Sequence, residues 1–211
     1  PPPPSRPALS ACLNLETPVS DCNPEPAFLH GLSGLADPKK VGIAGGSYGG
    51  YAAGWGATFY SERFAAAVSF VGISDLTSKA GTTEIPVEDV DVHMLSMPWT
   101  RFEQSRERSP LTYVGKARTP LLLLHGTADP RVHPTQSLML YRYLKLAGHP
   151  AVRLVRYPGE GHGNRRAASQ LDAAVRILGW FEHYLLGAGG APPAPEAADG
   201  TVLEVVEAAK E

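Results

Sequence analysis

The chain contains four short apolar segments, which predict the strands of a parallel sheet. They cover residues 41–44, 66–71, 121–124 and 152–157. Residues 121–124 are apolar at every position, as expected of a central parallel strand that is covered on both faces. Longer stretches of mixed polarity separate the four segments, so the pattern as a whole predicts an α/β fold.

Helical spacing appears between and after these strands. Residues 48–60 predict a helix directly after the first strand. Residues 77–116 show no regular spacing of apolar residues. They predict an irregular, partly helical excursion at a position where such folds often build a substrate lid. The last helix has an apolar stripe at helical spacing, made of Leu171, Ala174, Val175, Leu178, Phe181 and Leu185.

The two ends of the chain differ in composition from the middle. Residues 1–27 are rich in proline and polar side chains, and we expect a disordered lead. Residues 28–187 form the predicted folded region, which begins with the end of a helix at 28–35. Residues 188–211 are the predicted linker and tail. The sequence GAGGAPPAPEAADG, which starts at Gly187, predicts the linker, and the short tail that follows is expected to be helical over 202–210.

Composition excludes some classes of partner. The formal net charge of −2 gives no electrostatic reason to expect binding to nucleic acid or to an anionic membrane. No apolar run approaches the roughly 18 residues of a membrane span. The chain begins at Pro1 without a charged and apolar leader, so we expect any signal peptide to be absent or already removed. Two cysteines, Cys12 and Cys22, do not fix a compartment, and both a cytoplasmic and a secreted or periplasmic location remain open.

The junction of the first strand and helix carries a candidate nucleophile. Gly45-Gly46-Ser47-Tyr48-Gly49 has the form Gly-x-Ser-x-Gly, a strained turn that holds the serine hydroxyl above the sheet. The N–H groups at the start of the following helix face any negative charge that develops there. A flexible glycine loop is the alternative. A phosphate loop is less consistent, because the motif lacks the Lys-Ser/Thr ending and no Gly-x-Gly-x-x-Gly can be placed here.

A candidate acid and base follow in the expected order. In this type of fold the order along the chain is serine, then an acid, then histidine. Asp129 comes after the third strand, and His162 lies in the loop Gly159-Glu160-Gly161-His162-Gly163 after the fourth. Because active sites of open α/β sheets lie outside the carboxyl ends of the strands, Ser47, Asp129 and His162 are expected to meet.

Each candidate has an alternative interpretation. Asp129 could be a helix cap, and Glu160 could compete as the acid, although it follows the wrong strand and lies only two residues before the histidine. We expect structural roles for His125 and His133, since neither lies in the last strand-to-helix loop. The other histidines lack metal-ligand spacing and no His-Glu-x-x-His is present, so we expect neither a metal nor a cofactor.

Three motifs together resemble the catalytic domain of the prolyl oligopeptidase family of serine peptidases, and most of all its acylaminoacyl-peptidase and dipeptidyl-aminopeptidase members. They are GGSYGGYAA, RERSPLTYVGKARTPLLLLHGTADPRVHP and YPGEGHGN, and the resemblance covers residues 34–186. It implies an α/β-hydrolase fold and an enzyme that cleaves peptide or acyl-peptide bonds through an acyl-enzyme. It implies Ser47 as nucleophile, His162 as general base and Asp129 as the residue that orients the histidine.

The resemblance also implies substrate contacts. The backbone N–H of Tyr48 would be one oxyanion donor, as is usual for the residue after the nucleophile. Arg131 matches an arginine that contacts a substrate carbonyl in acylaminoacyl-peptidase relatives, with a solvated loop arginine as the alternative. Proline-selective relatives place aromatic side chains in the loop after the second strand, whereas here Ile73 and Leu76 are aliphatic. We therefore expect Leu76 to favour small or medium apolar residues over proline, unless this loop only packs on the sheet.

The same resemblance implies more strands than the sequence pattern predicts. An α/β-hydrolase fold has about eight strands, and the pattern predicts only four, with nothing in residues 1–40 to replace the others or the family's β-propeller. We therefore expect the C-terminal half of the fold, with the elbow strand exposed along one edge. Such an edge favours self-association, and the 211-residue chain alone is expected to be a poor enzyme. The alternatives are a catalytically incompetent fragment or binding module, or an esterase with the same triad.

Overall fold

A five-stranded sheet organises the molecule. The computed structural model describes residue 37, residues 39–193 and the backbone of Leu203–Glu204. The sheet order follows the chain order and comprises β1 (Gly42–Gly46), β2 (Ala66–Phe70), β3 (Leu121–Gly126), β4 (Val152–Tyr157) and β5 (Leu203–Glu204). Strands β1 to β4 are parallel, as the apolar segments predict, and β5 runs antiparallel to β4.

Six α-helices connect and cover these strands within the described residues. They are α1 (Tyr48–Thr58), α2 (Leu76–Thr82), α3 (Pro86–Glu88), α4 (Phe102–Glu107), α5 (Thr135–Leu146) and α6 (Ala167–Phe181). The connection between β2 and β3 is irregular and partly helical, as expected, with a π-helical turn at Asp89–Met94 and 3₁₀ turns at Pro98–Thr100 and Pro110–Lys116. A second π-helical turn, Glu182–Leu186, extends α6.

The alternation of side chains along β3 explains why every position of this strand is apolar. Leu121 and Leu123 pack on one face of the sheet against Leu140 and Leu144 of α5. Leu122 and Leu124 pack on the other face, in a cluster that includes Trp180 of α6. Both faces of the sheet are therefore covered by helices, as is typical of parallel sheets.

Helix α6 does not turn its predicted apolar stripe toward the sheet. Leu171 and Leu178 are 67% and 63% exposed, while Trp180 is only 1% exposed. Polar groups share the buried face, because the Tyr157 hydroxyl donates to Asp172 at 2.9 Å and Arg176 Nε donates to the same carboxylate at 2.8 Å. The large indole and this satisfied polar chain set the orientation of the helix, and of the stripe only Phe181 and Leu185 pack beside the core.

Strand β1 lies at the edge of the sheet. Within the described residues it pairs with β2 alone, and Ala44 and Gly46 are exposed. This agrees with the expected single neighbour of the elbow strand, while self-association along that edge stays a prediction. No helix among residues 39–193 combines the length and apolarity needed to cross a membrane.

Several predictions fall on the ends of the chain. The predicted lead at 1–27, the helix end at 28–35 and most of the linker and tail lie outside the described residues. The predicted helix at 202–210 is wrong at Leu203–Glu204, since these two residues pair with Arg156 and Val155 of β4 as a strand.

Candidate active site

Ser47 occupies a strained turn between β1 and α1. Its backbone has φ 58° and ψ −118°, in the positive-φ region that residues other than glycine rarely adopt. Two backbone hydrogen bonds hold the turn, because the Ser47 N–H donates to Phe70 O and the Tyr51 N–H donates to Ser47 O, each at 2.9 Å. Such strain is typical of residues whose side chain must point in one required direction.

Two glycines of the turn are required by close approach of the backbone. A Cβ at Gly45 would lie 2.4 Å from the carbonyl of Gly49, and one at Gly50 would lie 2.7 Å from both the Gly72 Cα and the Phe70 carbonyl oxygen. A Cβ at Gly49 would meet nothing within 4 Å. The backbone is therefore crowded at Gly45, the first glycine of the Gly-x-Ser-x-Gly motif, and at Gly50, the residue that follows the motif.

His162 links the serine to the aspartate. Its Nε2 lies 2.8 Å from Ser47 Oγ and its Nδ1 lies 2.8 Å from Asp129 Oδ2. Because a carboxylate only accepts hydrogen bonds, Nδ1 carries the proton that faces Asp129. Nε2 is then the acceptor for the Ser47 hydroxyl proton, so the arrangement can remove a proton from the serine.

The Asp129 carboxylate is buried and surrounded by donors. Its Oδ1 accepts the N–H groups of Arg131 and Val132 at 2.9 and 3.0 Å, and its Oδ2 lies 3.3 Å from His125 Nε2 as well as 2.8 Å from His162. Burial by itself raises the pKa of Asp129, but the hydrogen bonds from His125, His162 and the Val132 N–H hold it well below its ordinary value. Asp129 is therefore ionised at neutral pH, and the backbone N–H groups that bind it belong to its own loop rather than to α5.

Glu160, the competing acid, has other partners. Glu160 is 3% exposed, and its carboxylate accepts the backbone N–H of Arg165 at 2.8 Å and the Nε–H of Arg166 at 2.9 Å. Burial favours the protonated form, but hydrogen bonds from Arg165, Ser169 and Arg166 prevail and lower the pKa of Glu160 to about 2. This carboxylate closes the loop that carries His162.

Backbone hydrogen bonds tie the loop of Asp129 to the loop of His162. The Ala128 N–H donates to Glu160 O at 2.9 Å, and the Gly159 N–H donates to Thr127 Oγ1 at 2.8 Å. The Gly163 N–H donates to Gly161 O at 2.9 Å and so forms a tight turn around His162. The spacing between the acid and the histidine is thus set by the backbone as well as by their own contact.

Tyr48 opens helix α1 beside the serine. Its ring stacks on His93, with centroids 4.5 Å apart and planes 15° apart. Burial, followed by the negative charge of Asp89, raises the pKa of Tyr48 to about 12, while Arg108 opposes the shift. The sequence shows no metal-ligand spacing around His93, and nothing in the spacing of Tyr48 and His93 indicates their contact. The Tyr48 N–H as an oxyanion donor stays a prediction.

The two predicted substrate contacts lie in different surroundings. The Arg131 guanidinium is half exposed, pairs with Glu84 at 3.1 Å and borders a cleft of about 650 Å³ that His162 also lines. Leu76 is 5% exposed and packs in a cluster with Tyr51, Trp55, Ile73, Met94 and Val132. A substrate role for either residue stays a prediction.

His125 lies against the triad, although sequence reasoning assigned it a structural role. Its side chain is fully buried at the end of β3, four residues before Asp129. A buried imidazole needs hydrogen-bond partners, and its position on a central strand was the signal that could have revealed the contact. His133, by contrast, is exposed, and its ring hydrogen-bonds Thr135 at 2.9 Å. Among residues 39–193 no three His, Cys, Asp or Glu side chains are grouped as a metal site.

Comparison with known proteins identifies the family. Residues 27–188 match the prolyl oligopeptidase family. The chain is 35% identical over 152 residues to the uncharacterized peptidase YuxL of Bacillus subtilis, a match that covers 71% of this chain and 23% of the relative. It is 28% identical over 157 residues to the acylamino-acid-releasing enzyme of Rattus norvegicus, covering 71% of this chain and 21% of that enzyme.

A solved structure agrees with these sequence relatives. The acylaminoacyl peptidase of Pyrococcus horikoshii superposes with a TM-score of 0.69 at 30% identity, over 76% of this chain and 26% of that protein. The likeness confirms the predicted α/β-hydrolase fold. The chain spans about a quarter of the length of the relatives it matches. By its sequence and its fold, this chain belongs to the prolyl oligopeptidase family of serine peptidases.

Proposed function

We propose that this chain hydrolyses peptide or acyl-peptide bonds through a Ser47–His162–Asp129 triad and an acyl-enzyme. One observation carries the proposal: His162 lies 2.8 Å from Ser47 Oγ through Nε2 and 2.8 Å from Asp129 Oδ2 through Nδ1. This is the connectivity that a nucleophilic serine, its general base and the residue that orients the base require.

The reaction follows from these contacts. Ser47 Oγ attacks the carbonyl carbon of the scissile bond while its proton passes to His162 Nε2. The same proton is then donated to the leaving amine as the C–N bond breaks, and the acyl group remains on Ser47. A water molecule, activated by His162, hydrolyses this ester and releases the acid.

Asp129 and the start of α1 support the two charges that develop. The ionised Asp129 keeps the proton on His162 Nδ1, which leaves Nε2 free to accept, and it stabilises the imidazolium once formed. The tetrahedral intermediate carries its negative charge on the former carbonyl oxygen. The Tyr48 N–H is our assignment for one donor to this oxyanion, because it lies next to the nucleophile at the positive end of the helix.

Substrate class is inferred from the relatives and the cleft. Two relatives are named for acylated amino acids, and we extend that class of substrate to this chain. Arg131, on the cleft that His162 lines, is suited to donate to a substrate carbonyl once its pairing with Glu84 is exchanged. The aliphatic Ile73 and Leu76 favour small or medium apolar residues over proline before the cleaved bond, because they lack an aromatic face for the proline ring.

Substrate hydrolysis tests this proposal. We expect slow but measurable turnover of acetyl-alanyl p-nitroanilide, loss of nearly all of it in Ser47→Ala, and wild-type turnover in the control Ser96→Ala, whose hydroxyl hydrogen-bonds Met94 O. Free aminoacyl anilides and simple p-nitrophenyl esters, assayed in parallel, define the substrate class. A prolyl substrate cleaved about tenfold faster than the alanyl one would contradict the inferred preference.

A further inference from the structure

We propose that His125 is a positioning residue, whose imidazole holds the Asp129 carboxylate in the orientation that His162 requires. The inference rests on the proposed function, in which Asp129 orients the general base. It adds a fourth side chain to the three that carry the chemistry. His125 touches neither Ser47 nor His162 in the contacts of the described residues, so it would act only through Asp129.

His125 lies where three parts of the site meet. It follows the last leucine of β3, its Nε2 lies 2.8 Å from Val132 O and 3.3 Å from Asp129 Oδ2, and its Nδ1 lies 2.6 Å from Ser137 Oγ on α5. Both His125 and Asp129 have side chains with no exposed surface. A polar ring in such a place is stable only when each nitrogen has a partner.

These partners define the tautomer. Nε2 faces a carbonyl oxygen and a carboxylate oxygen, both of which only accept, so Nε2 carries a proton. In the neutral ring Nδ1 then accepts the hydroxyl proton of Ser137, which is itself 1% exposed. The Nε2–H therefore bonds Val132 O at 2.8 Å, and Asp129 Oδ2, at 3.3 Å from the same nitrogen, is its second and longer contact.

The contact falls on the oxygen that matters for the triad. The backbone N–H groups of Arg131 and Val132 bind Oδ1, whereas His125 approaches Oδ2, the same oxygen that accepts from His162. Without the His125 donor, Oδ2 would depend on His162 alone, and rotation of the carboxylate about its Cβ–Cγ bond would be opposed from one side only. The carboxylate would also become a stronger base toward His162, which raises the pKa of the imidazole.

Other charges near the triad do not change with His125. The cleft beside His162 is lined by Arg131, Arg165 and Arg166 and by Glu84 and Glu160. None of these side chains contacts the His125 ring in the bonds described above. A change in the titration of His162 on substitution of His125 can therefore be assigned to Asp129.

The test compares two substitutions at His125 with one at its other partner. His125→Gln places an amide N–H near the position of Nε2, whereas His125→Leu fills the volume without a donor. Ser137→Ala removes the contact at Nδ1 and leaves the donor to Asp129 in place. Each variant is measured for kcat, for KM, for the pH profile of kcat/KM and, by NMR with labelled histidine, for the pKa of His162.

We expect kcat of His125→Leu to fall about 10- to 100-fold at nearly unchanged KM, as for loss of one hydrogen bond to a charged group. The acid limb of kcat/KM and the NMR-measured pKa of His162 should both move upward. His125→Gln and Ser137→Ala should stay within about threefold of the wild type. Equal losses in all three variants, or a Leu variant with unchanged kcat and unchanged His162 titration, would overturn the proposal. The NMR titration needs no turnover, so an inactive wild type would contradict the proposed function and still leave the His125 contact open to measurement.

Discussion

The substitution Gly126→Ala is expected to disable the site without touching any catalytic side chain. Gly126 ends β3 directly beneath the loop that carries His162. A Cβ at this position would lie 2.3 Å from Glu160 O and 2.4 Å from Gly161 O, both of them backbone atoms. Since nonbonded carbon contacts are comfortable only at about 3.5 Å, the loop must move away by about 1 Å.

The magnitude follows from what that movement breaks. The Ala128 N–H donates to Glu160 O at 2.9 Å, and this bond between the Asp129 and His162 loops would be lengthened or lost. Loss of the bond and the remaining overlap together cost about 2–4 kcal/mol of stability. A displacement of His162 by about 1 Å costs about 100-fold in turnover.

The assay is kcat/KM on an acyl-peptide anilide together with urea unfolding, and the control is Gly179→Ala. Gly179 lies inside α6, where an added Cβ meets nothing within 4 Å. That variant should keep full activity and gain about 0.5–1 kcal/mol of stability from the better helix propensity of alanine. If Gly126→Ala matched Gly179→Ala in both measurements, the close approach of the His162 loop to β3 would be wrong.

Three further outcomes follow from the structure. Asp129→Asn should lower kcat by about 10⁴, because an amide favours the wrong tautomer of His162, and steady-state kinetics on the folded variant checks it. Burial, aided by the charge of Arg118, lowers the pKa of His149 from 6.5 to about 4. The unfolded chain therefore binds a proton that the folded one does not, so stability should fall by up to about 2–3 kcal/mol as the pH drops from about 6.5 to about 4. His149→Asn should flatten this slope in urea titrations. Ala44→Lys should reduce self-association along the β1 edge, measured by sedimentation velocity, whereas an unchanged sedimentation coefficient would place any association elsewhere.

Local rules were sufficient to predict the four parallel strands and the order of the candidate residues. Buried parallel strands are apolar at successive positions, so residues 121–124 indicated a central strand without further information. The glycines around Ser47 predict the turn that carries it. The carboxyl ends of parallel strands share one edge of the sheet. These two facts place Ser47, Asp129 and His162 together before any coordinates are known.

Tertiary contacts decided the features that the pattern missed. Periodicity identified α6 correctly but not the face it buries, because Trp180 and the Tyr157–Asp172–Arg176 hydrogen bonds outweigh the aliphatic stripe. Leu203–Glu204 forms a strand because β4 offers an edge, a condition that lies outside the local sequence. The contact of His125 with Asp129 depends on how one loop folds back over the end of β3.

Covalent labelling of the serine tests the central claim most directly. The protein is treated with a fluorophosphonate at neutral pH, and the adduct is located by tandem mass spectrometry. We predict one adduct on Ser47, absent in Ser47→Ala and formed very slowly in His162→Ala, since the hydroxyl is a weak nucleophile without its base. An adduct that forms at the same rate in His162→Ala, or no adduct on Ser47 in the folded wild-type protein, would contradict the account.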